Sequence, residues 1–263
     1  MSSNNYSPFD IREYLFGGFP PSSTLTIDHV RTVIDKYGFR NSHNYSQSNI
    51  VALGCSDTFG IGTTYNNTWV SLVSNFIGKK INNLGFPGGS LKTCYRLLCG
   101  YIEKGYKVKE VYMLGPSIFR DEAILQSPDG SYRINLMPQA AEVFEEEDGP
   151  SYLVKYIDDH FKYNLSVYEN CVLNYRVLLD AIEKVCTDNN IKLYSFYNPC
   201  YGQDYSKVVN HTILDYLRRD PHYDRLFKIH SKELALDNKH LGPWYQKYIA
   251  DRFINLKKLD SII

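Results

Sequence analysis

Two short stretches, far apart in the chain, carry residue types that together could open an ester. The first is G-C-S-D-T-F-G at 54–60, which sets Ser56 in a turn bounded by glycines. The second is D-N-K-H at 237–240, with Asp237 three residues before His240. A serine hydroxyl is a weak nucleophile until a base takes its proton. His240 can be that base, and Asp237 can hold the imidazole Nδ1–H and fix its tautomer. A third stretch, G-F-P-G-G-S at 85–90, offers the Gly88 N–H to an oxyanion with no side chain to crowd the substrate. Each signal is weak alone. A serine in a strand-to-helix turn more often caps the helix, D-x-x-H arises by chance, and Gly85, Gly88 and Gly89 can simply make a turn. Their joint order along the chain raises them above chance.

The elements that must position these residues are legible from hydrophobic period. Ile50 to Leu53 is an unbroken apolar run stopped by Gly54, the pattern of a strand buried on both faces. Trp69, Leu72, Val73, Phe76 and Ile77 then recur on one helical face, with Thr68 placed to cap the start and Gly78 the end. Ile81 to Leu84 reads as a second strand. After the glycine-rich turn, Ser90 can cap a helix whose apolar face is Leu91, Cys94, Tyr95, Leu98 and Ile102, ended by Gly105. Val111 to Leu114 is a third strand. Helical spacing returns from Tyr175 to Cys186, a fourth strand follows over Leu193 to Tyr197, and Tyr245, Tyr248, Ile249 and Phe253 mark a closing helix. This alternation predicts an α/β fold, a three-layer flavodoxin-like sandwich with a mostly parallel doubly wound sheet and an inserted rim segment. In such a sheet ligands bind outside the carboxyl ends of the strands, where Ser56, Gly88 and the G-P-S-I-F-R stretch at 115–120 fall.

Two regions depart from the alternation. Residues 1–47 are polar and rich in turns, with one amphipathic stretch, Ile27 to Tyr37, that reads as helical; they are expected to be an extension packing on a domain of 48–263. Residues 120–165 read as an insertion. S-P-D-G-S at 127–131 suggests a β-hairpin there, followed by the acidic run Glu145 to Asp148.

Composition bounds the partners. The chain has 263 residues, 43% of them apolar, with 23 Tyr and 13 Phe, enough for a substantial core. Lys plus Arg equals Asp plus Glu at 29 each, which argues against a nucleic-acid binder. No run approaches the ~18 apolar residues of a membrane helix, and the first residues do not read as a secretory signal, so a cytoplasmic location is expected. The six scattered cysteines form no C-x-x-C pair and read as free core thiols. No zinc-ligand spacing, P-loop or dinucleotide fingerprint is present, so no cofactor and no metal are expected. Thr58 stands where a nucleophile elbow needs glycine, which disfavours the α/β-hydrolases.

From residue 37 to 256 the chain resembles the SGNH hydrolases, the GDSL esterase and lipase superfamily. Y-G-F-R at 37–40 looks like a stretch that often precedes the family's first strand, Ile50 to Gly60 matches its first block, N-L-G-F-P-G-G-S at 83–90 its second, and D-N-K-H-L-G at 237–242 its last. The resemblance implies Ser56, Asp237 and His240 as catalytic triad, with an oxyanion hole formed by Ser56, Gly88 and the residue in the third block. That residue is an asparagine in the family pattern and Ser117 here. Cys55 stands where the family name expects aspartate. The reading is a serine esterase hydrolysing an O-acyl ester, an O-acetyl group being one option, on a glycan or other small polar substrate. Two alternatives stay open: a catalytically impaired SGNH-fold glycan-binding or structural module, favoured by Ser117, and an acyltransferase on the same triad. The sequence does not reveal the oligomeric state.

Overall fold

The computed structural model describes residues 24–27, 30–35, 38–41, 45–127, 130–136, 155–156, 159–160, 168–197, 235–236, 240 and 242–260. Among the described residues four strands make the central sheet: β3 (Ile50–Leu53), β4 (Asn82–Asn83), β5 (Glu110–Gly115) and β8 (Lys192–Tyr197), in the order β4-β3-β5-β8, with every neighbouring pair parallel. The register sets Val51 beside Val111 and Val111 beside Leu193. Strand period divides the core in two. Val51, Leu53, Val111 and Met113 face one side with α3 (Leu91–Glu103) and α4 (Tyr168–Asp188). Ile50, Ala52, Tyr112, Leu114, Tyr194 and Phe196 face the other with α2 (Trp69–Ile77) and α5 (Pro243–Asp260). The result is a three-layer α/β sandwich whose doubly wound sheet has the predicted character.

Local chemistry explains the element ends. The Thr68 side chain accepts from the Ser71 N–H at the start of α2, worth about 1 kcal/mol. Ser90 and Thr93 satisfy each other's backbone N–H groups in a capping box at the start of α3. On the α2–α5 side, Trp69 stacks on Phe253 with ring centroids 4.6 Å apart.

Three details differ from the sequence reading. The stretch expected to be helical from Ile27 instead belongs to an antiparallel hairpin, β1 (Thr24–Ile27) with β2 (Val30–Val33). Thr24, Thr26, Ile27, Val30, Thr32 and Val33 are β-branched, and their restricted χ1 favours the extended chain over an isolated helical turn. The second strand shrinks to Asn82 and Asn83. The buried face of α3 is also rotated: Leu97 and Tyr101 are enclosed, whereas Tyr95 and Ile102 are only partly buried.

A hairpin does occur at 121–136, formed by β6 (Asp121–Ser127) and β7 (Gly130–Leu136). One buried carboxylate fastens it to the sandwich. Glu122 accepts from Arg96 Nε at 2.6 Å and Nη2 at 2.7 Å, and from Thr93 Oγ1 at 3.0 Å. Cys55, Cys94, Cys171 and Cys186 are buried free thiols and Cys99 is half-buried; Cys200 lies outside the described residues.

Candidate active site

Ser56 opens a one-turn helix, α1 (Ser56–Phe59), directly beyond the carboxyl end of β3. The turn that delivers it requires Gly54. Its φ is +152°, and a Cβ there would lie 2.8 Å from the Leu114 carbonyl on β5. A serine at this kind of turn commonly caps the helix, yet Cys55 holds the cap position, without a side-chain cap bond. Ser56 is therefore the first helical residue. Its N–H is one of the first-turn donors that no intrahelical carbonyl can reach. Among the described residues neither that N–H nor the Ser56 hydroxyl has a hydrogen-bond partner.

The backbone carbonyls around this serine are bonded. The Cys55 carbonyl accepts from Thr58 and Phe59, and the Ser56 carbonyl from Gly60 and Ile61. The Asp57 carbonyl accepts from Gln246 Nε2 at 3.1 Å and the Thr58 carbonyl from Asn83 Nδ2 at 2.8 Å. Buried Arg40 closes the turn by donating to the carbonyls of Phe59, Gly60 and Thr63 at 3.3, 2.5 and 2.8 Å. Burial pulls this guanidinium down to about 10, and it remains charged at neutral pH. Asn83 also accepts from the Gly85 N–H at 2.9 Å, so one amide side chain sets the spacing between the Ser56 turn and the glycine turn.

That glycine turn follows β4 and is joined to the first by the Phe86 N–H, which donates to the Gly54 carbonyl at 3.0 Å. Gly88 has φ +75°, a backbone state that disfavours side chains, and its N–H has no partner among the described residues. Ser117 follows β5. Its Oγ accepts from the Phe119 N–H at 3.3 Å, a local turn bond, which leaves the hydroxyl proton available to donate. Thus Ser56, Gly88 and Ser117 lie beyond the carboxyl ends of three adjacent strands, with Ser56 and Ser117 flanking the switch point between β3 and β5.

His240 is half-buried just before α5. Its carbonyl accepts from the Ala235 N–H at 2.8 Å, and the adjoining Leu236 N–H donates to the Gly62 carbonyl at 3.0 Å. These bonds tie the histidine's segment to the loop leaving α1. Asp237 lies outside the described residues, as do His211, His222 and His230. His160, read from sequence as structural, has Nε2 3.5 Å from Asp121 at the root of the hairpin; burial outweighs the carboxylate and lowers its pKa. Among the described residues no group of three His, Cys, Asp or Glu is placed to hold a metal ion.

Sequence reasoning missed Gln246 and noticed Arg40 and Asn83 only inside family-like stretches. The available signal was a glutamine among the buried positions of an amphipathic helix: Gln246 is 1% exposed between Tyr245 and Ile249.

Fold and site together define a doubly wound α/β protein with a serine at the carboxyl end of a central strand that, among the described residues, has no hydrogen-bond partner, beside backbone donors that have none there either. No family model matches the chain, and no curated protein matches its sequence. Similar solved structures include an esterase, EstA, from Pseudoalteromonas sp., in a form inhibited by monoethylphosphonate, at 15% identity over 81% of this chain and 100% of that one, TM-score 0.42. A member of the lipolytic protein G-D-S-L family from Veillonella parvula aligns at 13% identity over 78% and 96% of the two chains, TM-score 0.34. A protein described as lipolytic and of the G-D-S-L family, from Desulfitobacterium hafniense, aligns at 13% identity over 77% and 95%, TM-score 0.33. The fold and the candidate site rest on the strand order and hydrogen bonds above, not on these likenesses.

Proposed function

We propose that the chain is an SGNH-type serine esterase acting through an acyl-enzyme. The observation that carries this reading is the contrast at Ser56: each backbone carbonyl around it is bonded, while among the described residues its own hydroxyl and N–H have no partner. A serine needed for structure would be spent on a cap. In the proposed reaction His240 takes the Ser56 proton as Oγ attacks the ester carbonyl, and returns it to the departing alcohol. Water, activated by the same imidazole, then releases the acid. Asp237 would orient His240. The N–H groups of Ser56 and Gly88, with the Ser117 hydroxyl, would receive the developing oxyanion.

The substrate we propose is a small O-acyl ester on a polar scaffold such as a sugar. Trp244, 38% exposed at the start of α5 and stacked on Tyr248, offers a ring face four residues beyond His240. The second reading, an impaired binding module on the same fold, draws on the Ser117 Oγ being already engaged by Phe119. A fluorophosphonate probe separates the two. The esterase reading expects labelling of the wild type that is lost in Ser56→Ala; an unlabelled, folded wild type supports the binding module instead.

A further inference from the structure

At the amino ends of the strands, opposite the candidate active site, the chain forms a second concave feature. It is a cavity of about 790 Å³ between the 45–49 segment, the end of α2 and the link from α3 to β5. Its lining holds four lysines, Lys79, Lys80, Lys107 and Lys109, and among the described residues no Asp or Glu. This is a sharp local departure for a chain whose formal net charge is zero.

Among the described residues none of these lysines pairs with a carboxylate. Lys80 Nζ donates to the neutral Gln47 Oε1 at 2.6 Å. Lys79, Lys107 and Lys109 have no carboxylate partner among the described residues. The nearby Glu110 is taken by Lys257 at 2.6 Å and does not line the cavity. Compensation of helix C-termini would place cations in the last turns of α2 and α3, but neither last turn carries one: Lys79 and Lys80 stand beyond Gly78, and Lys107 and Lys109 beyond Gly105.

The cavity is also preformed. The 45–49 segment is stitched to both flanking strands: Asn82 Nδ2 donates to the Tyr45 and Ser48 carbonyls, Ser48 Oγ to the Lys80 carbonyl, and the Lys109 N–H to the Asn49 carbonyl at 2.7 Å. Tyr106 on the lining is held by Tyr45 and Tyr101, at centroid distances of 5.6 and 4.7 Å, and presents a partly exposed ring. Fixed walls with adjustable ammonium donors suit an anion.

We propose that this cavity binds a compact, multiply charged oxyanion, a small ligand bearing two or more phosphate groups. The four lysines line one concavity, and the rest of the chain supplies no basic excess, which favours a small polyanion over a nucleic-acid strand.

Calorimetric titration of the full chain with sodium tripolyphosphate at low salt tests this. Saturable binding of one equivalent is expected, weakened about tenfold or more in Lys79→Glu/Lys107→Glu, and screened away as salt approaches about 1 M. The neutral pair Lys79→Gln/Lys107→Gln guards against misfolding and should show an intermediate loss with an unchanged melt. Lys184→Glu/Lys247→Glu makes the same charge change at ion-paired lysines of α4 and α5, and should bind as the wild type does. No binding to the wild type, or equal weakening in this control, overturns the proposal. So does a short single-stranded oligonucleotide that binds far more tightly than tripolyphosphate with the same lysine dependence, since the site would then belong to a nucleic-acid strand.

Discussion

Gln246, on the C-terminal helix, donates from Nε2 to the backbone carbonyl of Asp57, 189 residues earlier, while its Oε1 accepts from the Trp69 N–H at 2.8 Å. A single buried amide thus binds the helix that follows His240 to the turn that carries Ser56. Gln246→Ala leaves a buried carbonyl and a buried N–H unsatisfied, and should cost about 1–3 kcal/mol per orphaned group. Denaturant unfolding measures that cost. Turnover on a simple acetyl ester should fall as well, although no reacting group has been removed. Unchanged turnover in a destabilised variant would show that the two segments need no such tie for chemistry.

Ser117 has a local role already, accepting from Phe119 N–H. If its remaining proton serves the oxyanion, Ser117→Ala lowers kcat with little change in KM, by less than the ~10²–10³-fold typical of a well-placed donor. Ser117→Asn then keeps or raises kcat. A lower Tm with unchanged kcat in Ser117→Ala assigns the hydroxyl to the turn alone.

The Arg96–Glu122 pair is an ion pair inside the protein, with side chains 9% and 3% exposed. Removing one partner strands a buried charge, so Glu122→Ala should cost about 3–5 kcal/mol. Replacing both, as in Arg96→Met/Glu122→Leu, should cost much less. Equilibrium unfolding of the single and double variants checks the ordering. A single variant no worse than the double means that the hairpin is not anchored by this charge.

Three tyrosines set an alkaline limit. Burial raises Tyr45, Tyr112 and Tyr194 above the ordinary tyrosine range, aided at Tyr45 by Asp35, at Tyr112 by Glu110 and at Tyr194 by the hydrogen bond to Asp260. Folding favours their neutral form. The native state therefore holds more protons than the unfolded chain above about pH 10, and stability falls as pH rises through that range. Tyrosinate absorbance should show a group of tyrosines that ionise only as the chain unfolds. Smooth titration of all of them with the fold intact would contradict the shifts.

What was legible in the sequence was local. The unbroken apolar run of Ile50 to Leu53, the helical stripe from Trp69 to Ile77 and the caps at Thr68, Gly78 and Ser90 are short-range effects, and they appear in the structure where the residues put them. The positions of Ser56 and Gly88 beyond strand ends follow from the same local grammar. Other features depended on packing partners remote in sequence. Burial of Leu97 and Tyr101 in place of Tyr95 and Ile102 was settled by what α3 meets. Whether Ser56 would cap its helix or stand free was likewise beyond local reach. Among the described residues its hydroxyl has no partner, and Arg40, Asn83 and Gln246, from 16 residues before it to 190 after it, take up the carbonyls of the surrounding turn. Sequence spacing encodes what a residue can do with its near neighbours. Which polar groups are already satisfied depends on contacts that exist only once the chain has closed on itself.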